Sequence, residues 1–164
     1  MSLRILTTGG TFDKRYDPIP GTLGFGRTHL HEIVDQDRIG GVAIVQELMQ
    51  LDSLDMSDAH RRRVLDACAA SPEQRIVVVH GTDTMVDTAR VLGEAALSGR
   101  TIVLTGAMIP VDLAGSDALF NLGFAAGCAL ALDAGVYLAM NGQTFAWDSV
   151  RKNKELCVFE ALPR

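Results

Sequence analysis

The feature that most constrains the fold is a run of β-branched residues, "IVVV" at 76–79, which Arg75 precedes. Such a continuous apolar run is typical of a strand covered on both faces, because a half-exposed strand alternates polar and apolar residues. Similar short runs occur at 3–8, 42–51, 101–105 and 135–140, and segments with helical spacing separate them. Strands that alternate with helices predict an α/β fold with a parallel sheet flanked by helices.

The segments between these runs predict four helices, at 28–36, 58–71, 83–97 and 116–134. Thr28 and Ser57 are the predicted caps of the first two helices, and Asp83 is a candidate cap of the third. Residues 11–28 combine glycine, proline and charge without a period, which predicts a long loop. The C-terminal stretch predicts extended structure with a basic bend.

The 164 residues fit one domain, residues 1–164. A net charge of -5 and a pI of about 5.3 argue against a nucleic-acid or anionic-membrane partner. No apolar run is long enough for a membrane span, and the start does not resemble a signal peptide. Cys68, Cys128 and Cys157 are scattered, which indicates reduced thiols in a cytoplasmic protein.

Thr11 follows Gly9-Gly10 at the end of the first predicted strand. Glycines allow a tight turn with exposed backbone amides, which suits a hydroxyl that attacks a carbonyl. Tyr16, five residues on, is a candidate activator of this hydroxyl. On spacing alone, the simpler interpretation is favoured, in which Thr11 caps a turn and Tyr16 is a loop aromatic.

A second polar turn, His80-Gly81-Thr82-Asp83, follows the 75–79 strand and opens a helix. Thr82 is a candidate second catalytic hydroxyl, and Asp83 caps the helix or binds a substrate ammonium group. His80 is interpreted as a hydrogen-bonded strand-end residue. Since the carboxyl ends of parallel strands share one edge, we expect both turns, residues 53–55 and Gly106 to meet there.

Lys152, in a basic bend, is either a desolvated group near Thr82 or part of a solvated turn. His29, His31 and Glu32 have metal-ligating side chains but lack a third ligand at recognisable spacing. No metal and no organic cofactor is expected, because protein groups can supply nucleophile, oxyanion donors and proton transfer.

The motifs "TTGGTFD" and "HGTDTMVDTA" together resemble the two signature motifs of the bacterial-type L-asparaginase family. The resemblance extends to "LDSLDMSD", "LTGAMIP", "GSDALFNL" and "DSVRKN", and so runs from about residue 3 to about residue 155. It implies the fold of the N-terminal domain of L-asparaginase and hydrolysis of L-asparagine to L-aspartate and ammonia.

By this resemblance, Thr11 is the nucleophile, Tyr16 its activator, and Thr82, Asp83 and Lys152 a second catalytic cluster. The substrate's α-carboxylate is bound at Ser53 and its α-ammonium at Asp83, while the backbone at Ala107 meets the leaving amide. Gly10 and Gly81 let the backbone approach the substrate. A homodimer or homotetramer is also implied.

Two departures from the family pattern stand out. The chain ends where the first of two domains ends in typical members, so it resembles the short, single-domain form. Leu54 stands where many relatives place glutamine beside the substrate-binding serine, which predicts weak binding and little glutaminase activity.

Other functions remain open at this point. One is a non-catalytic relative that binds a small amino acid, as a sensor or a partner subunit. Another is an amidase subunit that feeds ammonia to a tRNA-charging partner, which the lack of an added partner domain makes less favoured.

Overall fold

A computed structural model describes residues 2–39 and 41–163. Its strands are β1 (Leu3–Gly9), β2 (Lys14–Asp17), β3 (Thr22–Phe25), β4 (Ala43–Leu51), β5 (Arg75–Val79), β6 (Thr101–Thr105), β7 (Gly135–Met140), β8 (Gln143–Ala146), β9 (Val150–Asn153) and β10 (Val158–Ala161). Its helices are α1 (Gly10–Asp13), α2 (Leu30–Gln36), α3 (Asp58–Ala70), α4 (Met85–Glu94) and α5 (Ala118–Ala131), with a 3-10 turn at Ser53–Asp55.

A six-stranded sheet forms the centre of the fold, in the order β4-β1-β5-β6-β7-β8. The first five strands in this order are parallel, which confirms the predicted α/β architecture. The edge strand β8 runs antiparallel to β7, because the turn Asn141-Gly142 reverses the chain with positive φ at both residues.

The sheet separates two helical layers, each with its own apolar core. Along β5, Ile76 and Val78 pack with α3 and α4, whereas Val77 and Val79 pack with α2 and α5. All four side chains are fully buried, which explains why β5 carries no alternating pattern. The same parallel arrangement brings the carboxyl ends of β4, β1, β5 and β6 to one edge.

Three local predictions need correction. Thr28 is not the N-cap of α2, because His29 occupies that position. Residues 11–28 are not an irregular loop, because they form α1 and the β2–β3 hairpin. The hairpin strands have four residues each, too few to reveal a period in the sequence. Asp83 does not cap α4: the N-cap is Thr84, and the Asp83 carboxylate is bonded to Lys152 instead.

Within the part of the chain that the structure describes, no helix has the length and apolarity needed to cross a membrane.

Candidate active site

Backbone contacts between glycines bring the two polar turns together. A Cβ atom placed on Gly10 would lie 2.4 Å from the Gly81 nitrogen, and one placed on Gly81 would lie 2.6 Å from Ser53 Cβ. A Cβ atom on Gly106 would lie 2.3 Å from the His80 carbonyl oxygen. Only glycine permits these approaches, so the ends of β1, β4, β5 and β6 form one compact polar edge.

Thr11 lies in α1, directly after the β1 strand. The turn needs Gly9 and Gly10, whose φ angles are +93° and +69°, in a region that other residues rarely adopt. Thr11 is half-buried, and its hydroxyl forms no hydrogen bond with any residue that the structure describes. The hydroxyl is therefore free to contact a bound molecule.

Thr82, Asp83 and Lys152 form a hydrogen-bonded cluster beside this turn. The Lys152 ammonium donates to Thr82 Oγ1 over 2.8 Å and to Asp83 Oδ1 over 2.7 Å. The Lys152 side chain is only 10% exposed, whereas that of Asp83 is 37% exposed. A desolvated cation beside a hydroxyl favours the ionised form of that hydroxyl, so Thr82 is suited to proton transfer.

The β9–β10 hairpin positions Lys152. Val150 and Phe159 are each 3% exposed and anchor the hairpin in the core that includes α3 and α4. Lys152 pairs with Phe159 and is two residues from Val150, so its side chain lies on the same inward face. This resolves the alternative left by the sequence: Lys152 is a partly buried cation and not a solvated turn residue.

Ser53 supplies a buried hydroxyl next to Gly81. It is 1% exposed, and its Oγ has no hydrogen-bond partner among residues 2–39 and 41–163. A buried hydroxyl without a partner destabilises a fold by about 1–3 kcal/mol. The Asp52 carboxylate accepts from the Leu54 amide and so fixes the 3-10 turn that presents Ser53.

The loop after β6 contributes Ala107, which is 1% exposed. Asn121, fully buried in α5, donates to the Gly106 carbonyl over 3.0 Å. Asp117 accepts from the Met108 and Ile109 amides at 3.0 and 3.1 Å. These bonds make the Ala107 backbone a rigid part of the edge.

No hydrogen bond joins Tyr16 to Thr11 in this structure. Its side chain is 56% exposed on β2, and its hydroxyl forms no hydrogen bond to the described residues. The role of Tyr16 as activator stays a prediction.

His80 is a structural residue, as predicted. It is fully buried, its Nδ1–H donates to the Gly81 carbonyl over 2.7 Å, and its Nε2 accepts from the Thr88 hydroxyl over 2.8 Å. Burial lowers the pKa of His80 to about 4, so the ring is neutral near pH 7.

The sequence interpretation missed the role of Asp13. This fully buried carboxylate accepts from the hydroxyls of Thr7 and Thr28 at 2.8 and 2.9 Å. It also accepts from the His29 amide and the Gln50 side chain, at 3.1 and 3.3 Å. Asp13 therefore fixes the end of α1, two residues from Thr11, to β1, β4 and the segment before α2.

Within the described residues, no three His, Cys, Asp or Glu side chains are grouped so that they could hold a metal ion.

Known proteins are similar to this chain in both sequence and fold. The family model described as "Asparaginase, N-terminal" matches residues 2–158. A protein from Methanococcus maripaludis, one of the subunits of glutamyl-tRNA(Gln) amidotransferase, is 33% identical over 152 residues, which cover 87% of this chain and 35% of that protein. The chain thus spans about a third of the length of the curated relatives it matches.

Solved structures give a similar picture. A probable cytoplasmic L-asparaginase from Campylobacter jejuni is 29% identical, with a TM-score of 0.85, and the match covers 98% of this chain and 52% of that one. The thermostable L-asparaginase from Thermococcus kodakarensis is 25% identical, with a TM-score of 0.80 and coverage of 98% and 51%.

Proposed function

The chain belongs to the asparaginase family, matching its N-terminal domain, and from that premise we propose that it is an amidohydrolase that converts L-asparagine to L-aspartate and ammonia. The observation that carries this proposal is the Thr82–Asp83–Lys152 cluster, which lies beside the glycine turn of Thr11. Two hydroxyls, one carboxylate and one cation on a single edge suit a small zwitterionic amide.

In the proposed first step, Thr11 Oγ attacks the side-chain amide carbon. The C–N bond breaks, the amide nitrogen takes the Thr11 proton, and ammonia leaves an ester on Thr11. Water then attacks the ester carbon, the bond to Thr11 Oγ breaks, and Thr11 recovers a proton as aspartate leaves. Thr82 carries the protons, and the adjacent Lys152 ammonium offsets the negative charge that develops there.

Two further groups are proposed to bind the substrate's amino-acid end. The unpartnered Ser53 hydroxyl donates to the α-carboxylate, which satisfies an otherwise unmatched buried group. The Asp83 oxygen that is not bonded to Lys152 accepts from the α-ammonium, and its exposure leaves it accessible. The rigid Ala107 backbone faces the amide group, while Gly10 and Gly81 allow the backbone to lie close to the substrate.

The proposal is tested by ammonia release from L-asparagine, with L-glutamine and D-asparagine in parallel. Thr11→Ala and Lys152→Met should each reduce kcat by roughly 100-fold or more, since each removes a group that acts in the transition state. Thr144→Ala, an exposed threonine on the far edge strand, is the matched control and should keep full activity. Equal rates in Thr11→Ala and the native chain would exclude Thr11 as nucleophile.

A second candidate function is favoured by the curated relatives. Their name makes them components of a glutamyl-tRNA(Gln) amidotransferase, and the identity reaches 34%. In that case, the chain is an amidase component that supplies ammonia to a partner which charges tRNA. Ammonia release by the purified chain at a rate that a partner does not change would argue against it. A folded chain that binds asparagine without turnover would support it.

Leu54 shapes the proposed specificity. It is 67% exposed beside Ser53, and an aliphatic side chain there offers no acceptor to the substrate ammonium. We therefore propose little glutaminase activity and a high KM for asparagine.

A homodimer or homotetramer is also proposed. Helix α5 carries no charged residue along its 14 positions, yet Leu119, Phe120 and Leu130 are 51%, 62% and 37% exposed. Gly123 and Gly127 on the same helix have open space around their would-be Cβ positions. An exposed apolar face of this kind supports contact with another copy of the chain.

The proposed location is the cytoplasm. Cys68, Cys128 and Cys157 are all free thiols, and burial raises the pKa of Cys68 to about 12, which keeps it unreactive. Reduced cysteines support this location.

A further inference from the structure

An ion pair at the base of the β2–β3 hairpin connects it to the segment that carries Ser53. Lys14 Nζ lies 2.6 Å from Asp52 Oδ2, and the two side chains are 22% and 29% exposed. Asp52 immediately precedes Ser53, and its other oxygen accepts from the Leu54 amide. The pairing therefore links residue 14 directly to the turn that orients Ser53.

The register of the hairpin shows which side chains lie on the same face as this ion pair. Lys14 pairs with Phe25 and Tyr16 pairs with Leu23. Cross-strand partners and residues two apart share a face, so these four side chains lie on one side of the hairpin. The Lys14 ammonium also lies 5.7 Å from the centre of the Phe25 ring.

The opposite face of the hairpin is attached only locally. Arg15 contacts His29 at 2.9 Å and Glu32 at 4.0 Å, both close in sequence to the hairpin. Among the described residues, Lys14 is the one hairpin side chain that bonds a distant segment, 38 residues away. The Lys14–Asp52 pair is thus the polar contact that joins the Tyr16 face of the hairpin to the segment that carries Ser53.

The charge state of the pair fits this role. The hydrogen bond from Lys14 lowers the pKa of Asp52 below its usual range, and the nearby Lys152 charge lowers it further. Asp52 is therefore ionised throughout the neutral range, and the ion pair persists there.

We propose that Lys14 and Asp52 are positioning residues that hold the Tyr16-bearing face of the hairpin against the Ser53 segment. Their effect on turnover rests on the asparaginase function proposed above, whereas their effect on the hairpin does not. Neither residue touches the reacting atoms: Lys14 acts through Tyr16, and Asp52 acts through Ser53.

The test compares Lys14→Met, Lys14→Arg, Asp52→Asn and the double variant Lys14→Met with Asp52→Asn. Methionine keeps the apolar stem over Phe25, and asparagine keeps an oxygen for the Leu54 amide, so each removes mainly the charge. Arg62→Met is the matched control, because Arg62 belongs to an ion pair with Asp66 on α3 whose side chains are 71% and 65% exposed.

Hydrogen–deuterium exchange of the hairpin peptide, residues 14–25, gives a readout that does not depend on activity. Loss of a partly buried pair should accelerate this exchange about fivefold to tenfold in Lys14→Met and in Asp52→Asn. The double variant should exchange no faster than either single variant, since the two share one interaction. Lys14→Arg should restore slow exchange, and Arg62→Met should leave it unchanged.

Steady-state kinetics supply the second readout. Lys14→Met and Asp52→Asn should raise KM and lower kcat, with a combined loss in kcat/KM of about tenfold, while Lys14→Arg retains activity. Unchanged exchange in Lys14→Met, or additive effects in the double variant, would overturn the proposal. If the native chain releases no ammonia, the proposed function fails, and exchange alone still decides the role of the pair.

Discussion

Replacing Gly10 with alanine should force apart the two polar turns that meet at this edge of the sheet. The new Cβ would lie 2.4 Å from the Gly81 nitrogen and 2.5 Å from Gly81 Cα. Both are backbone atoms, so no side chain can rotate away to relieve the overlap. The turn of Thr11 or the turn of Thr82 must move.

The structure gives the size of this effect. Ordinary van der Waals contact begins near 3.4 Å, so one turn must shift by about 1 Å, a displacement that costs roughly 100-fold in rate when it separates catalytic groups. The φ of +69° adds about 1–2 kcal/mol of strain for any residue with a Cβ. Overpacking adds about 1–3 kcal/mol, which makes roughly 2–5 kcal/mol in the free energy of unfolding.

Gly99→Ala is a control that introduces the strain of a positive φ without the steric overlap. Gly99 has almost the same φ, +71°, but nothing lies within 4 Å of its would-be Cβ. In Gly99→Ala, the strain should lower the free energy of unfolding by only about 1–2 kcal/mol, and the variant should keep full activity. Urea unfolding followed by the fluorescence of Trp147, the sole tryptophan, measures stability, and ammonia release measures activity. If Gly10→Ala loses no more stability than Gly99→Ala and stays active, the two turns are not in contact.

Three further outcomes are expected. His80 has a pKa near 4 when folded and 6.5 when unfolded, so the free energy of unfolding should fall by up to about 3 kcal/mol as pH drops from 6.5 to 4, and His80→Gln should remove that slope in urea titrations. Leu54→Gln should lower KM for asparagine in steady-state assays, and an unchanged KM would show that residue 54 does not contact the substrate. Phe120→Glu should shift sedimentation toward the monomer while the circular dichroism stays native, and an unaltered oligomer would exclude α5 as the interface.

The sheet was predictable because its central strands β1, β5 and β6 are buried on both faces. Residues 75–79 need no alternation to be recognised, and the helices between strands follow from their spacing. The sequence did not predict the β2–β3 hairpin, since strands of four mostly exposed residues carry no period. The polar contacts that attach the hairpin are those of Lys14 with Asp52 and of Arg15 with His29, and local propensity does not encode them.

The candidate site, like the fold, was predictable from the sequence only in part. Thr11 and Thr82 were candidates because each stands on a glycine turn at a strand end, although for Thr11 the spacing alone favoured a turn cap and the family resemblance supplied the catalytic role. Residue spacing did not predict the position of Lys152, because 70 residues separate it from Thr82. Only the family resemblance grouped the two residues, and the packing of Val150 and Phe159 brings them together. Asn121 left a usable signal, as the lone polar side chain in an apolar helix.

The turns and the hairpin at this edge of the sheet differ in how many hydrogen bonds hold them to the rest of the fold. His80 and Asn121 are fully buried and bonded on both sides, so the turns of Thr82 and Ala107 have little freedom. Asp13 fixes the end of α1 in the same manner through four accepted hydrogen bonds. The hairpin beyond it depends on one distant ion pair, that of Lys14. Substitutions that alter substrate binding without unfolding the domain should therefore cluster in the hairpin and at Asp52, where few bonds must be broken for the chain to move.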